Sequence, residues 1–383
     1  MKQTTMHRWL AAGIATGIAT GLLAACGGGG GDAPARSPAR AAVWESPSCT
    51  TILGTAALTY TRDQGQTRIP RELELPPNHY TFGLATFADP NVLIALGDDG
   101  RGLRLQRSVD AGCSWSPLSG IIDAGFALAP LEAAQNVAYA WVRHETSMYR
   151  ITSEGQVTQL ELPSTVDALK VDAQDANHLR AARFREQRLQ LLDSRDGGAT
   201  WTEIGVSPPD ANLQPVVVFS GTNLDHALAL SAEGGAWVTF DGGNQWLQST
   251  GFDDLNVPNG RSGAIGFDEQ TVLLLVQDKP PSSVAARPTG VYASHDGGIS
   301  FTRVLTRSAT MPLSHGGTSF WAHPGEPNVF YFNSPANLYR YDAGTDTVTT
   351  VSLAASEGSV SALAFHPTDP AVVYLAFSVT LLE

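Results

Sequence analysis

Lysine is nearly absent from this 383-residue chain. It stands only at Lys2, Lys170 and Lys279, so almost all positive charge is arginine, which favours planar, bidentate partners such as carboxylates. Acidic residues outnumber basic ones 37 to 24, and the formal net charge is −13. That balance argues against a nucleic-acid partner, because binding a phosphate backbone requires clustered lysine and arginine. Cysteine is scarce too, at Cys26, Cys49 and Cys113. The nine histidines show no HExxH and no Cys/His ligand spacing, so no metal and no cofactor is expected. His144 beside Glu145 reads as a solvated loop pair. Long helix-favouring runs are few. With 38 glycines and 23 prolines in their place, the composition predicts an all-β, turn-rich protein.

The N-terminus reads as a targeting segment. Lys2 and Arg8 precede an apolar run from Trp9 to Ala25 that is too short for a confident membrane span. The run ends in Leu-Ala-Ala-Cys, residues 23–26, which resembles the bacterial lipoprotein lipobox. The resemblance implies cleavage before Cys26 and lipidation of its sulfur and new amino group, giving a stable membrane anchor. Gly27, where a retention signal would have aspartate, implies the outer membrane of a Gram-negative envelope. The expected organisation is a signal peptide at 1–25, a flexible Gly/Pro/Ala tether at 26–43 and a folded region at 44–383. Export to an oxidising compartment favours a Cys49–Cys113 disulfide over two separate buried thiols, although both remain open.

What the chain does have is a repeat. "SVDAGCSW" (108–115), "SRDGGATW" (194–201), "TFDGGNQW" (239–246) and "SHDGGISF" (294–301) share one template: Ser/Thr, any, Asp, any, Gly, any, Ser/Thr, aromatic. Gln245 is the one departure among these four. The template's landmarks are Asp110 and Trp115, Asp196 and Trp201, Asp241 and Trp246, Asp296 and Phe301. Degenerate copies follow at Asp63, at Ser153 in the Asp position, and at Asp342. The markers 63, 110, 153, 196, 241, 296 and 342 are spaced by 43 to 55 residues along the folded region. An Asp at a tight turn accepts following backbone N–H groups, the Gly admits positive φ, and the aromatic packs beneath the hairpin. These residues therefore read as structural clasps. They lack the spaced ligands of a calcium loop.

Short alternating apolar runs precede each box, as in "FGLATF", "NVLIALG" and "LRLQRS". Four strands per unit at this period predict a β-propeller blade. The C-terminus supplies "SALAF" and "VVYLAF" without a box. The N-terminus supplies "AALTYT", a box and "IPRELEL" without the two strands before them. Joined, they complete a composite blade, so seven blades are expected, closed by the two chain ends. The stretch 176–194 has helix-favouring composition but falls where box spacing demands two strands.

The template is identified as the Asp-box, or BNR repeat. Over roughly residues 50–383 the chain resembles the photosystem II stability/assembly factor family, notably at "EGGAWVTFDGGNQW" (233–246), and more distantly the sialidases. The first resemblance implies a non-catalytic scaffold binding a protein or glycan on the face opposite the boxes. There the longest loops, 249–263 and 277–290, carry Asp253, Asp254, Arg261, Lys279 and Arg287 as candidate contacts. The second implies an alternative, a glycoside hydrolase. Arg68 in Arg-Ile-Pro would bind a carboxylate, and Asp98 or Asp99 would act as acid/base. Against it, Arg68 falls in a box, on the wrong face, and no nucleophile pair can be matched.

Overall fold

The computed structural model describes residues 44, 58–66, 80–98, 103–118, 131–142, 145–186, 188–210, 212–313, 318–334, 337–352 and 359–378. All belong to the compact unit Trp44–Glu383, and none is helical. The chain begins with β1 (Leu58–Thr61), then a meander of β2 (Tyr80–Thr86), β3 (Leu93–Asp98), β4 (Leu103–Ser108) and β5 (Ser116–Pro117). A second meander holds β6 (Leu131–Ala134), β7 (Val137–Trp141), β8 (Ser147–Thr152) and β9 (Val157–Glu161). A third holds β10 (Ala168–Val171), β11 (Leu179–Arg185), β12 (Arg188–Ser194) and β13 (Thr202–Ile204). Next come β14 (Leu213–Phe219), β15 (Ala227–Ser231), β16 (Gly235–Thr239) and β17 (Leu247–Gln248), then β18 (Pro258–Ile265), β19 (Val272–Asp278), β20 (Gly290–Ser294) and β21 (Thr302–Thr306). The last are β22 (Phe320–Ala322), β23 (Val329–Asn333), β24 (Asn337–Asp342) and β25 (Thr347–Ser352), followed by β26 (Ser359–Phe365) and β27 (Val373–Ser378).

The molecule is an all-β propeller built of four-stranded antiparallel units. The first strands of the units are neighbours in turn. Thus β26 lies against β2, β2 against β6, and the series continues through β10, β14 and β18 to β22. The second strand of a unit is covered by a neighbouring unit on each face. This explains the near-continuous apolar runs of β15, β19 and β23, which are buried at almost every position. Outer strands such as β5, β9 and β17 have mostly exposed residues.

Hydrogen bonding groups the described strands into five sheets, where the sequence predicts seven separate blades. Three sheets are single four-stranded units. The other two each hold strands of two units joined at one seam. β16 bonds β18 through the single parallel pair Gly235↔Asn259, and β2 bonds β27 through Tyr80↔Ser378. Glycine makes the first seam. Gly235 sits at φ 76°, and a Cβ on Gly260 would run into the Gly235 carbonyl.

The two chain ends meet in one sheet. β1 pairs antiparallel with β27 from Leu58↔Ala376 to Thr61↔Val373, and β26 flanks β27 on its other side. The fourth strand expected at 69–75 lies outside the described residues. The helix-favouring stretch 176–194 forms β11 and β12. Burial decides it: Leu179, Arg180, Ala181 and Ala182 are all buried between neighbouring units, and packing of this kind overrides local propensity.

Candidate interaction face

One hydrogen bond recurs from unit to unit. The backbone N–H just after the box Asp donates to a carbonyl in the turn between the unit's first two strands. The pairs are Ala111 to Asn91, Gly197 to Asn177, Gly242 to Asp225, Gly297 to Gln270 and Ala343 to Asn328. At the degenerate box, Ser153 itself donates to Asn136. Gln64 donates to Ala371 across the chain ends. Boxes and first turns therefore share one face of the ring, and the remaining loops occupy the other.

Each good box is closed on itself. At Asp196 the Ser194 hydroxyl (2.9 Å), the Thr200 amide (2.9 Å) and the Thr200 hydroxyl (2.6 Å) donate to the carboxylate. The Gly198 amide donates to Ser194 Oγ at 2.9 Å. Asp110 and Asp296 repeat this with Ser114 and Ser300, while Asp241 accepts the Gln245 amide at 2.9 Å. Asp63 accepts the Thr61 hydroxyl, and Asp342 accepts the Gly344 amide. The Thr200 hydroxyl and amide hold the Asp196 carboxyl down at about 2. At Asp110 and Asp296 burial pushes the carboxyl up, but the donated hydrogen bonds outweigh it and the net shift is downward. Trp115 and Trp201 donate their indole N–H to the carbonyls of Gly112 and Gly198. Trp246 reaches instead to Val206 of the preceding unit at 2.8 Å, and Phe301 stacks on Phe252. Carboxylates so occupied lock the turns in which they stand.

The box face also carries an ionic staple. Arg180, 1% exposed, donates to Asp193 (3.1 Å), to the Leu224 carbonyl (2.9 Å) and to Asp225 of the next unit (3.0 Å). His178 lies between Asp172 and Asp193 at 3.0 Å each. Bonded through Nε, Nη1 and Nη2, Arg180 is committed to joining two units. Among the described residues, no cluster of three or more His, Cys, Asp or Glu side chains could hold a metal ion.

On the opposite face the two long loops are tied to one another. Asp278, 2% exposed at the end of β19, accepts the amides of Asn256 (3.0 Å) and Val257 (2.8 Å) through one oxygen. Its other oxygen accepts Asn256 Nδ2 (2.6 Å) and the Arg287 amide (2.7 Å). Burial pushes this carboxyl up, but the donated hydrogen bonds prevail and lower it. The sequence reading missed Asp278; an acid ending the strand "VLLLVQD" just before a Pro-rich stretch is the only signal it left.

Of the predicted contacts, Asp254 pairs with Arg303 at 2.5 Å and accepts the Tyr292 hydroxyl at 2.7 Å. Burial, then that hydrogen bond, pushes the Tyr292 phenol well up. Arg261 is half-buried, held by the side-chain oxygens of Gln277 and Gln214. Asp253, Lys279 and Arg287 are exposed.

For the hydrolase alternative, Asp98 contributes its backbone to the end of β3, opposite Leu103. Arg68 and Asp99 lie outside the described residues, as do Cys26, Cys49, residues 1–43 and His144. Cys113 is disulfide-bonded.

Fold and face together define a class, β-propellers of four-stranded units that display shaped loops on the surface opposite the carboxylate-locked turns. Within it, the chain is 33% identical over 358 residues to the dispase autolysis-inducing protein of Streptomyces mobaraensis, covering 87% of this chain and 89% of that protein. The chain belongs to the family of that protein. No protein-family model matches it. Among solved structures it is similar to a GH74 xyloglucanase from Xanthomonas campestris (TM-score 0.56, 15% identity), covering 84% of this chain and 52% of the enzyme. It thus spans about half of that enzyme's length. It is also similar to YCF48 bound to a D1 peptide (TM-score 0.53, 12% identity) and to YCF48 from Cyanidioschyzon merolae (0.53, 14%). These cover 85% and 84% of this chain and 99% of each YCF48 chain. Likeness at these identities concerns the fold.

Proposed function

We propose that this chain is an envelope-anchored, non-catalytic propeller that binds an exported protease and promotes its self-cleavage. Membership of the dispase autolysis-inducing protein family carries the reading. Box carboxylates committed to their own turns, and shaped loops on the opposite face, support binding over catalysis. The test uses dispase as the probe. Adding the purified protein to dispase should accelerate loss of the intact protease band in proportion to its concentration. Unchanged decay overturns the reading.

Two further parts belong to the proposal. The lipobox at 23–26 anchors the chain through Cys26, with 26–43 as tether and the outer membrane as destination. Cys26→Ser should abolish incorporation of a fatty-acid label. The ring has seven blades, the two composite sheets each counting as two. This count is supported by the apolar clusters between neighbouring units and by the recurring box-to-turn hydrogen bond.

A further inference from the structure

The loop between β19 and β20 combines two properties that rarely coincide. Residues 281–288, Pro-Ser-Ser-Val-Ala-Ala-Arg-Pro, are all exposed, with Val284 at 45%. Yet the loop is tethered along its length. The Lys279 amide donates to the Val257 carbonyl (2.9 Å), and the Val284 amide closes a turn onto Pro281 (2.9 Å). Asn256 Nδ2 donates to the Ala285 carbonyl (3.2 Å), the Arg287 amide to Asp278, and Arg303 to the Pro288 carbonyl (3.2 Å). Pro280, Pro281 and Pro288 fix three more backbone torsions. Such restraint stabilises the folded loop by reducing the freedom of the unfolded chain. Restraint also helps a loop that binds, because conformational freedom removed beforehand is not lost on association.

Its charge is opposite in sign to that of the chain as a whole. In a protein of net charge −13, residues 279–288 carry two cations, Lys279 and Arg287, and no acid. No described residue pairs with either side chain. An exposed apolar tip flanked by free cations complements an apolar pocket rimmed by carboxylates.

The structure assigns docking of the protease partner to the loop 279–288, with Val284 entering an apolar pocket and Lys279 and Arg287 meeting acidic groups at its rim. This rests on the protease-binding reading above.

Dispase is again the probe, with the full-length protein and three variants: Val284→Asp, Val284→Ser and Lys279→Glu/Arg287→Glu. Affinity, autolysis rate and thermal midpoint are measured for each. Both Val284 substitutions should weaken binding by about tenfold or more, as for an interface anchor, and slow the induced autolysis. The charge-reversal pair should lower the association rate and flatten its dependence on salt. The thermal midpoints should match the parent, since these side chains touch no core. Hydrogen exchange should show protection of 279–288 in the complex, a readout independent of any variant. Variants that bind and act like the parent, with no protection of the loop, overturn the proposal and leave the function standing. A parent protein that neither binds dispase nor alters its decay overturns both. Loop protection that rises with the protein's own concentration, without dispase, marks a second copy as occupant and also overturns it.

Discussion

The Gln64 amide donates to the Ala371 carbonyl at 3.2 Å, joining a box near the start of the folded region to a turn near its end. Around this bond Tyr60 packs against Tyr374, ring centroids 6.0 Å apart, and Tyr331 donates its hydroxyl to the Gln64 carbonyl. The closure of the ring is thus made by hydrogen bonds, ladder pairing and apolar burial together.

Removing residues 372–383 should therefore be catastrophic. Val373, Tyr374, Leu375 and Phe377 are completely buried. Burial of each large side chain contributes about 1.5–3 kcal/mol. Their joint loss approaches the whole margin of a domain, about 5–15 kcal/mol. Calorimetry should show no cooperative transition, and the product should aggregate or be digested. A midpoint within a few degrees of the parent would mean that the closure contributes little.

Gly251 is expected to tolerate no side chain. It sits at φ 92°, and a Cβ there would strike the Phe301 carbonyl, where the two backbones are zipped by Thr250 to Ile299 and Phe301 to Thr250 bonds. Gly251→Ala should destabilise by at least about 1–3 kcal/mol in urea titrations. Gly221→Ala is the contrast. Its Cβ would meet Lys170 Cε at 3.4 Å, ordinary contact, so its urea midpoint should stay close to the parent's.

Asp196 makes a prediction about acid. Its carboxyl lies at about 2 in the folded protein, against an ordinary 3.8. A lowered folded value means that its contribution is complete above about pH 4 and is lost as pH falls towards 2. Carbon-13 NMR should find this carboxyl still ionised at pH 3. In Asp196→Asn the part of the acid-induced loss of stability between pH 4 and 2 that belongs to this group should vanish.

The Cys113 disulfide should pair with Cys49. Peptide mapping without reduction should recover the two cysteines in one linked fragment. Cys113→Ser should cost about 2–5 kcal/mol, as for removal of a native bridge. A Cys113 peptide linked to Cys26 would overturn the pairing.

The propeller was legible because its signals are local and repeated. An Asp, a Gly and an aromatic at fixed offsets report a turn wherever they occur, and the box at Asp110 has the same bonds as that at Asp296. The strands β11 and β12 were legible only from spacing, because Arg180 and its neighbours are chosen for a contact with Asp225 in another unit. The fused sheets were hidden for a similar reason, since a lone pair such as Gly235↔Asn259 depends on how two units settle. On the loop face, Asp254 and Arg261 were picked out as free charges and are instead engaged by Arg303 and Gln277. Such pairings are made across the fold, and composition does not encode them. Asp278 escaped notice because one acid in one loop has no pattern to repeat.

The pairing of β1 with β27 also constrains the order in which the ring can be completed. β1 remains without a strand partner until β27, more than 300 residues further along the chain, is in place. Intermediate units can form in sequence, yet none of them can lock the first box. A chain lacking Val373 and the residues after it leaves both β1 and β26 without their partner, so β27 acts as the latch between the two.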